Sequence, residues 1–306
     1  MRYFFLIILI CSLFTGTAQT TANIATYTVR NGLSNNTINK IMRDSRGFLW
    51  IGTAEGLNRF DGTHFVSFFS DATDTNTLSG NNVTDLLEYA PGQLLIATNN
   101  GLCVLNTINN RFENNKIRLP GLRKGSGNYI RSLFKDHQGS VYVNHSGEID
   151  IFDSTLNYRF RLTDQPWAAG LKGIIIYIES WIQDSEGRVW LPSDNLGICL
   201  LDKKNKRVYS STNNPFQYAF FGKGPLRSFY YDEPDNTIWF STWGNGVTRY
   251  ELQTGRSHTL YFDLPYNNES RTINAITKYK NRIVCCGSKG VYSIDRRTLQ
   301  YENIYD

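Results

Sequence analysis

The hydrophobic positions of this chain recur in short runs that repeat at a nearly constant period. Each unit has an apolar run, a polar turn, and a second apolar run with a bulky residue near its centre. That bulky position is filled by Trp50, Leu95, Tyr142, Trp190, Trp239 and Val284, at steps of 45, 47, 48, 49 and 45 residues. A repeat of this length predicts a stack or ring of similar structural units.

Turn residues divide each unit into four predicted strands. The first turn of unit one reads Asp44-Ser45-Arg46-Gly47, with an Asp that can accept backbone N–H bonds and a Gly in fourth place. The second turn of every unit ends in a glycine, which suggests a backbone angle that a side chain would resist. These glycines are Gly56, Gly101, Gly147, Gly197, Gly246 and Gly290. Four short strands per period predict an all-β fold, a β-propeller of four-stranded antiparallel blades with six recognisable repeats.

Other repeat architectures fit the pattern poorly. After residue 20, apolar residues never keep the three- and four-residue spacing of a helix, and the asparagine ladder of leucine-rich repeats and the signatures of WD propellers are missing. Tyr and Phe are abundant, with 18 of each, which suits a large β domain. The net charge of +5 is scattered along the chain, so no nucleic-acid surface is predicted.

The N-terminal residues have a different pattern from the repeats. Arg2 is followed by the apolar stretch 3–14 and by the small residues Gly16-Thr17-Ala18, which predicts a signal peptide over residues 1–18 and a propeller over residues 19–306. An additional strand is predicted at Ile24 to Arg30. Such a strand would complete a last blade whose other strands lie beyond residue 306, so we expect the six repeats to be part of a seven-bladed propeller, truncated at its C-terminus.

A polar residue occupies the same place in the first strand of every unit. These residues are Asn39, Thr84, Arg131, Glu179, Arg227 and Asn274. An apolar core would not place polar groups there, so we expect them to line the mouth of the central channel. They form either a solvated ring of mutually satisfied groups or a site where Arg131 and Arg227 bind an acidic group of a glycan through forked hydrogen bonds.

The short loops between the second and third strands supply further candidates. Trp243 replaces the Ala54 of unit one, so it is either a platform for a ligand or packs on a neighbouring loop. Asn245, Asp194 and Asn195 lie in equivalent loops. An aromatic surface beside amides and carboxylates suits a sugar ring, so the predicted ligand is an oligosaccharide or another small molecule.

No cofactor or metal is predicted. The four histidines fall at loops or strand ends without clustering, and the cysteines lack the spacing of a zinc site. A glycosidase would need two facing carboxylates, and the sequence does not indicate such a pair.

The run from Asp44 to Asp61, Asp-x-x-Gly-x-Leu-Trp-Ile-Gly-Thr-x-x-Gly-Leu-Asn-Arg-Phe-Asp, resembles the propeller repeat of bacterial two-component regulators. The segments Asn31–Ile38 and Thr77–Val83 resemble the openings of such units. The resemblance extends over residues 24–306 and loosens toward unit six. It implies the periplasmic sensor region of a Bacteroidetes hybrid two-component histidine kinase, which would be non-catalytic in this region, homodimeric at full length and attached to the membrane through C-terminal parts absent here.

Two other functions remain open on the sequence. One is a stand-alone periplasmic binding or scaffold propeller, and the other is a propeller lyase of the streptogramin-inactivating type. The lyase would need a catalytic histidine beside a metal-bound substrate, which the scattered histidines do not favour.

Overall fold

The structure is a computed structural model, and it describes residues 25–305 except 115–116, 118, 121–127, 175, 177–180, 194, 222–225 and 263–270. Within that part of the chain, 24 strands form six four-stranded antiparallel sheets, and each sheet is one blade. In every blade the strands pair in chain order, and successive blades are arranged around a ring. The predicted all-β propeller with six repeats is confirmed.

The blades begin and end close to the predicted repeat boundaries. Blade 1 contains β1 (Ile38–Arg43), β2 (Leu49–Thr53), β3 (Gly56–Phe60) and β4 (Phe65–Phe68). Blade 2 contains β5 (Val83–Ala90), β6 (Gln93–Thr98), β7 (Gly101–Asn106) and β8 (Arg111–Phe112). Blade 3 contains β9 (Ile130–Lys135), β10 (Val141–His145), β11 (Glu148–Phe152) and β12 (Tyr158–Arg161).

The second half of the chain repeats this arrangement. Blade 4 contains β13 (Ile182–Gln183), β14 (Val189–Ser193), β15 (Gly197–Asp202) and β16 (Arg207–Tyr209). Blade 5 contains β17 (Leu226–Asp232), β18 (Thr237–Thr242), β19 (Val247–Glu251) and β20 (Ser257–Leu260). Blade 6 contains β21 (Ile273–Tyr279), β22 (Arg282–Gly287), β23 (Gly290–Asp295) and β24 (Tyr301–Tyr305).

The hydrophobic core lies between blades. In the part of the chain that the structure describes, five apolar clusters are present, and each joins one blade to the next along the chain. The bulky residue of a second strand packs into the following blade; Trp50, for example, is fully buried against Leu86 of blade 2. Trp190 and Trp239 are equally buried, so these tryptophans belong to the scaffold, as the repeat predicts.

The Asp of the first turn holds this bulky aromatic residue in place. Asp44 accepts a hydrogen bond from Trp50 Nε1 at 2.8 Å, and Asp184 accepts one from Trp190 Nε1 at 3.0 Å. In blade 3, the hydroxyl of Tyr142 donates to Asp136 at 3.1 Å. The Asp-x-x-Gly turn therefore shapes the turn and also orients the ring that packs between blades.

The second-turn glycines have the backbone conformation that the sequence predicts. All six have positive φ angles, and Gly246 and Gly290 have values of 65° and 128°. A Cβ at Gly246 would collide with the carbonyl oxygen of Leu260, and one at Gly290 with that of Tyr305. Glycine is required there both for the backbone angle and for the close approach of the fourth strand.

The junction between blade 6 and blade 1 differs from the other five. Ile41 of blade 1 stands where Leu86 stands in blade 2, yet Ile41 is 51% exposed and Leu86 only 3%. Val284, the bulky position of blade 6, is only half-buried. Among the described residues, no apolar cluster joins these two blades. The grouping of the six repeats within a seven-bladed propeller stays a prediction.

The predicted additional strand at Ile24 to Arg30 is wrong over the residues that the structure describes. Val29–Asn31 forms a turn of 3₁₀ helix, because Thr28 caps it and Gly32 ends it with a φ of 101°. Tyr27 packs edge-on against Phe60 at the outer side of blade 1. The predicted signal peptide, and most of the predicted first strand of unit four at Ile178 to Ile182, lie outside the described residues. No helix of the described part is long and apolar enough to cross a membrane.

Candidate ligand site at the mouth of the channel

One face of the ring collects the loops that the sequence marks as candidates. The turns between second and third strands and the connections from each fourth strand to the next blade lie at the same edge of the sheets. We call this edge the mouth face, and the edge that carries the other turns the opposite face. First strands of neighbouring blades lie beside each other, for example β1 with β5 and β17 with β21, so they surround the centre of the ring.

The predicted ring of polar residues coincides with a recurring β-bulge near the mouth face. In five blades the pairing of the first and second strands skips one first-strand residue. The skipped residues are Asn39, Thr84, Arg131, Arg227 and Asn274. A bulge leaves its extra residue outside the ladder and redirects its side chain, which explains why these positions are polar within apolar strands. The sixth predicted member, Glu179, lies outside the described residues.

Two members of the ring serve to hold blades together. Asn39 Nδ2 donates to Val83 O of blade 2 at 2.8 Å and to Asn82 Oδ1 at 2.9 Å. Thr84 Oγ1 donates to Ile130 O of blade 3 at 2.6 Å. These contacts satisfy carbonyl groups of the next blade, so Asn39 and Thr84 have a structural explanation.

Arg227 and Trp243 form the best-defined candidate pair. The guanidinium carbon of Arg227 lies 4.2 Å from the centroid of the Trp243 ring, within the distance of a cation–π contact. Trp243 remains 42% exposed, and Arg227 Nε is buried with no hydrogen-bond partner among the described residues. The pairing of Leu226 with Thr242 brings the two side chains together across neighbouring strands.

Two further arginines lie over exposed aromatic rings at the same face. Arg131 is 5.4 Å from the ring of Tyr129, which precedes β9, and Tyr129 is 39% exposed. Arg271 is 4.7 Å from the ring of Tyr261, and Tyr261 is 44% exposed. The sequence analysis did not select Tyr129, Tyr261 or Arg271. The usable signal was an aromatic residue next to a strand, since Tyr129 ends the connection from blade 2 to blade 3 and Tyr261 begins the connection from blade 5 to blade 6.

The loop of Trp243 is tied to the connection that carries Arg271. Gly246 N donates to Arg271 O at 3.0 Å, and Gly244 N donates to Thr272 Oγ1 at 3.3 Å. The Arg227–Trp243 pair and the Arg271–Tyr261 pair therefore belong to adjoining parts of the surface. Together they place two exposed aromatic rings and two half-buried arginines on this part of the mouth face.

The remaining predicted site residues separate into three groups. Asn245 is exposed beside Trp243 and donates to Thr242 Oγ1 at 3.1 Å, and Asn274 is exposed at its bulge. Asn195 instead fastens its loop by donating to Gly173 O at 2.9 Å. Asp194 lies outside the described residues. Of these residues that the structure describes, only Asn245 lies directly beside Trp243, where its Nδ2 also donates to Trp243 O at 3.2 Å.

Blade 3 contains a buried ionic cluster that the sequence did not predict. His145 Nε2 and Asp150 Oδ2 are 2.8 Å apart, and Arg161 Nε donates to Asp150 Oδ1 at 2.8 Å. Burial opposes the charge of Asp150, but hydrogen bonds from His145 and Arg161 outweigh it and hold the pKa of this carboxyl below its usual value. In blade 1 the equivalent places hold Thr53, Asn58 and Ser67, so the cluster replaces a neutral network of hydrogen bonds. In the part of the chain that the structure describes, no group of three or more His, Cys, Asp or Glu side chains is placed to hold a metal ion.

Residues 32–55 match the family model of the two component regulator propeller. This match confirms the resemblance to that repeat family. The matched segment covers the first two strands of the first repeat, with its Asp-x-x-Gly turn and Trp50. A search of curated protein sequences finds no significant match.

Solved structures with the same fold include extracellular domains of bacterial one component and two component systems. The extracellular domain of a one component system, BT4673 of B. thetaiotaomicron, is 23% identical, with a TM-score of 0.69 over 90% of this chain and 38% of its own. That of a hybrid two component system of the same organism, BT3049, is 20% identical, with a TM-score of 0.69 over 92% of this chain and 36% of its own. The chain thus spans well under half the length of both.

Virginiamycin B lyase from Staphylococcus aureus also has this fold. It is 14% identical, with a TM-score of 0.60 over 87% of this chain and 83% of its own. At such identities all three likenesses establish the fold alone.

Proposed function

We propose that this chain is the periplasmic ligand-sensing region of a hybrid two-component histidine kinase, and that it binds oligosaccharides without chemical turnover. The observation that carries the proposal is the set of three arginine–aromatic pairs at the mouth face. The match of residues 32–55 to the two component regulator propeller supports the signalling role. The extracellular origin of the two similar sensor domains supports an exported location.

The chemistry of the mouth face suits an acidic sugar. Pyranose rings stack on exposed aromatic faces, while their hydroxyl groups need many hydrogen-bond partners. The half-exposed ring of Trp243 supplies the flat surface, and Arg227 beside it carries a buried N–H group without a partner among the described residues. A guanidinium group recognises a carboxylate or sulfate through forked hydrogen bonds. A uronate or sulfated oligosaccharide therefore fits this surface better than a neutral one.

Signalling requires that the ligand bind one arrangement of the receptor more tightly than another. In a dimeric sensor attached to the membrane, a ligand at the mouth face would favour one relative placement of the sensor domains, and the kinase would respond. The same surface would serve a stand-alone binding propeller, which would lack this second step.

Titration calorimetry with acidic and matched neutral oligosaccharides tests the binding step. We expect saturable binding with a preference for the acidic sugars, and we expect Trp243→Ala to weaken it by roughly tenfold, because an aromatic anchor is worth 1.4 kcal/mol or more. Tyr279→Ala is the control, since Tyr279 is an exposed aromatic residue at the end of β21 on the opposite face. If none of the sugars binds, or both variants bind equally well, the proposal fails.

A propeller lyase is the competing function, and the similarity of fold to virginiamycin B lyase is its support. The two functions differ in product. A lyase would convert a lactone antibiotic, whereas a sensor returns its ligand unchanged, and chromatography of the mixture distinguishes the two outcomes.

A further inference from the structure

A cavity lies away from the mouth face, between blades 3 and 4. It has a volume of about 540 Å³, which is within the usual range for sites that bind small molecules. Its walls include residues of the turns that join the third strand to the fourth in both blades, namely Asp153, Lys203 and Lys206. These turns lie at the opposite face, so the cavity opens toward that face. None of the residues of the proposed sugar site lines it.

The floor of the cavity is aromatic and its rim is cationic. Tyr142 is buried in the floor, Phe160 is 40% exposed, and Trp167 forms one wall. Trp167 is placed there by the 3₁₀ helix Pro166–Leu171, which packs against β16 of blade 4. An exposed ring such as Phe160 within a concave wall gives a ligand apolar surface that remains to be covered.

The charges around the cavity do not balance. Arg159 is paired with Asp153 at 2.8 Å, and Lys203 is paired with the buried Asp136. Lys206, at the exposed tip of the turn between β15 and β16, adds a third cation to these two carboxylates. The cavity thus combines an apolar interior with one excess positive charge at its entrance.

We propose that this cavity binds a small aromatic carboxylate, whose ring packs on Phe160 and Trp167 while its carboxylate faces Lys206. Charge complementarity and volume select this class of ligand. A neutral aromatic molecule would leave the excess charge uncompensated, and a small polar anion would leave the aromatic walls exposed. This site is independent of the proposed sugar site and of the signalling role.

Titration calorimetry with 2-naphthoate, and with its neutral counterpart 2-naphthylmethanol, tests the proposal on the whole chain. We expect one naphthoate per chain and binding of the alcohol that is about two- to fivefold weaker, the usual worth of an exposed ion pair. Phe160→Ala should weaken naphthoate binding by roughly tenfold through lost apolar contact. Lys206→Ala should weaken naphthoate by about two- to fivefold and leave the alcohol unchanged.

Two variants serve as controls. Lys204→Ala removes an exposed cation from the same turn but not from the cavity wall, and Trp243→Ala removes the aromatic residue of the mouth face. Both should bind naphthoate as the unmodified chain does. Because Phe160 and Lys206 are exposed, their variants should stay folded, and circular dichroism checks this. The proposal is overturned if naphthoate does not saturate a single site, if Phe160→Ala and Lys206→Ala have no effect, or if Trp243→Ala abolishes binding.

Discussion

At the scale of single residues, the first-turn Asp connects three roles. Asp136 accepts from Ser140 N at 2.8 Å within its turn and from the Tyr142 hydroxyl in the core, and it pairs with Lys203 of blade 4. Asp232 occupies the same place in blade 5 and is bound by Arg296 of blade 6 at 2.9 Å. One carboxylate thus shapes a turn, orients a core side chain and joins two blades.

This arrangement makes stability depend on pH. Burial opposes ionisation of Asp136, but hydrogen bonds from Lys203 and Ser140 outweigh it and hold its pKa below the usual value. Because the folded chain binds this proton less readily, the contribution of Asp136 is complete above the unfolded pKa of about 3.9 and is lost as pH falls through the lower folded value.

We expect Asp136→Asn to reduce the free energy of unfolding at pH 7, by about 1–3 kcal/mol, the usual cost of breaking a buried polar contact. The difference from the unmodified chain should begin to shrink as the pH falls below about 4, because the unfolded chain then takes up a proton that the folded Asp136 binds less readily. Urea denaturation at pH 7, 5 and 3 measures it. A constant difference at all three values would contradict the account.

At the scale of elements, the bulged residue of the first strand has different roles in different blades. In blade 1 the bulged Asn39 links two blades, whereas in blade 6 the bulged Asn274 is exposed. The repeat showed that both positions are polar, and it predicted that both lie near the mouth of the channel. It could not show which side chain reaches the next blade, because that depends on the spacing of two strands that are about 45 residues apart in the chain.

These two residues form a matched pair for mutation. Asn39→Ala removes the hydrogen bonds to Val83 O and Asn82 and should cost about 1–2 kcal/mol in the free energy of unfolding. Asn274→Ala should change it by less than about 0.5 kcal/mol, as exposed substitutions do. Thermal and urea unfolding measure both. Equal effects would show that the bulge, rather than the contact between blades, determines the cost.

The candidate site shows a similar limit of sequence reasoning. Trp243 could be selected because it departs from the repeat, and Arg227 because it is polar in an apolar strand. Tyr261 and Arg271 follow no repeat, since they lie in a connection whose length and composition vary from blade to blade. Their pairing depends on how that connection folds back on the Trp243 loop, which no local pattern encodes.

At the scale of the whole molecule, the period of the sequence was sufficient to predict the fold. Each unit cannot bury its apolar faces alone, so neighbouring units must supply the core between them. Five junctions satisfy this rule, and the exposed Ile41 and half-buried Val284 mark the sixth as different. The strand predicted before unit one was wrong, because Thr28 and Gly32 favour a capped turn that the apolar pattern did not reveal.

The difference between junctions is measurable by placing a charge at equivalent positions. Leu86→Asp should cost more than about 4 kcal/mol or prevent folding, because it buries an unpaired carboxylate between blades 1 and 2. Ile41→Asp should change the free energy of unfolding by less than about 1 kcal/mol, since half of that side chain contacts solvent. A large cost for Ile41→Asp would show that another surface covers blade 1 in solution.

The proposed binding of an acidic oligosaccharide places the ligand at the mouth face of blade 5. Hydrogen–deuterium exchange of the chain with and without the tightest-binding sugar tests it most directly. We expect slower exchange in residues 226–230 and 241–247, with the turns of the opposite face unchanged. Protection confined to another face, or no protection at saturating sugar, would contradict it.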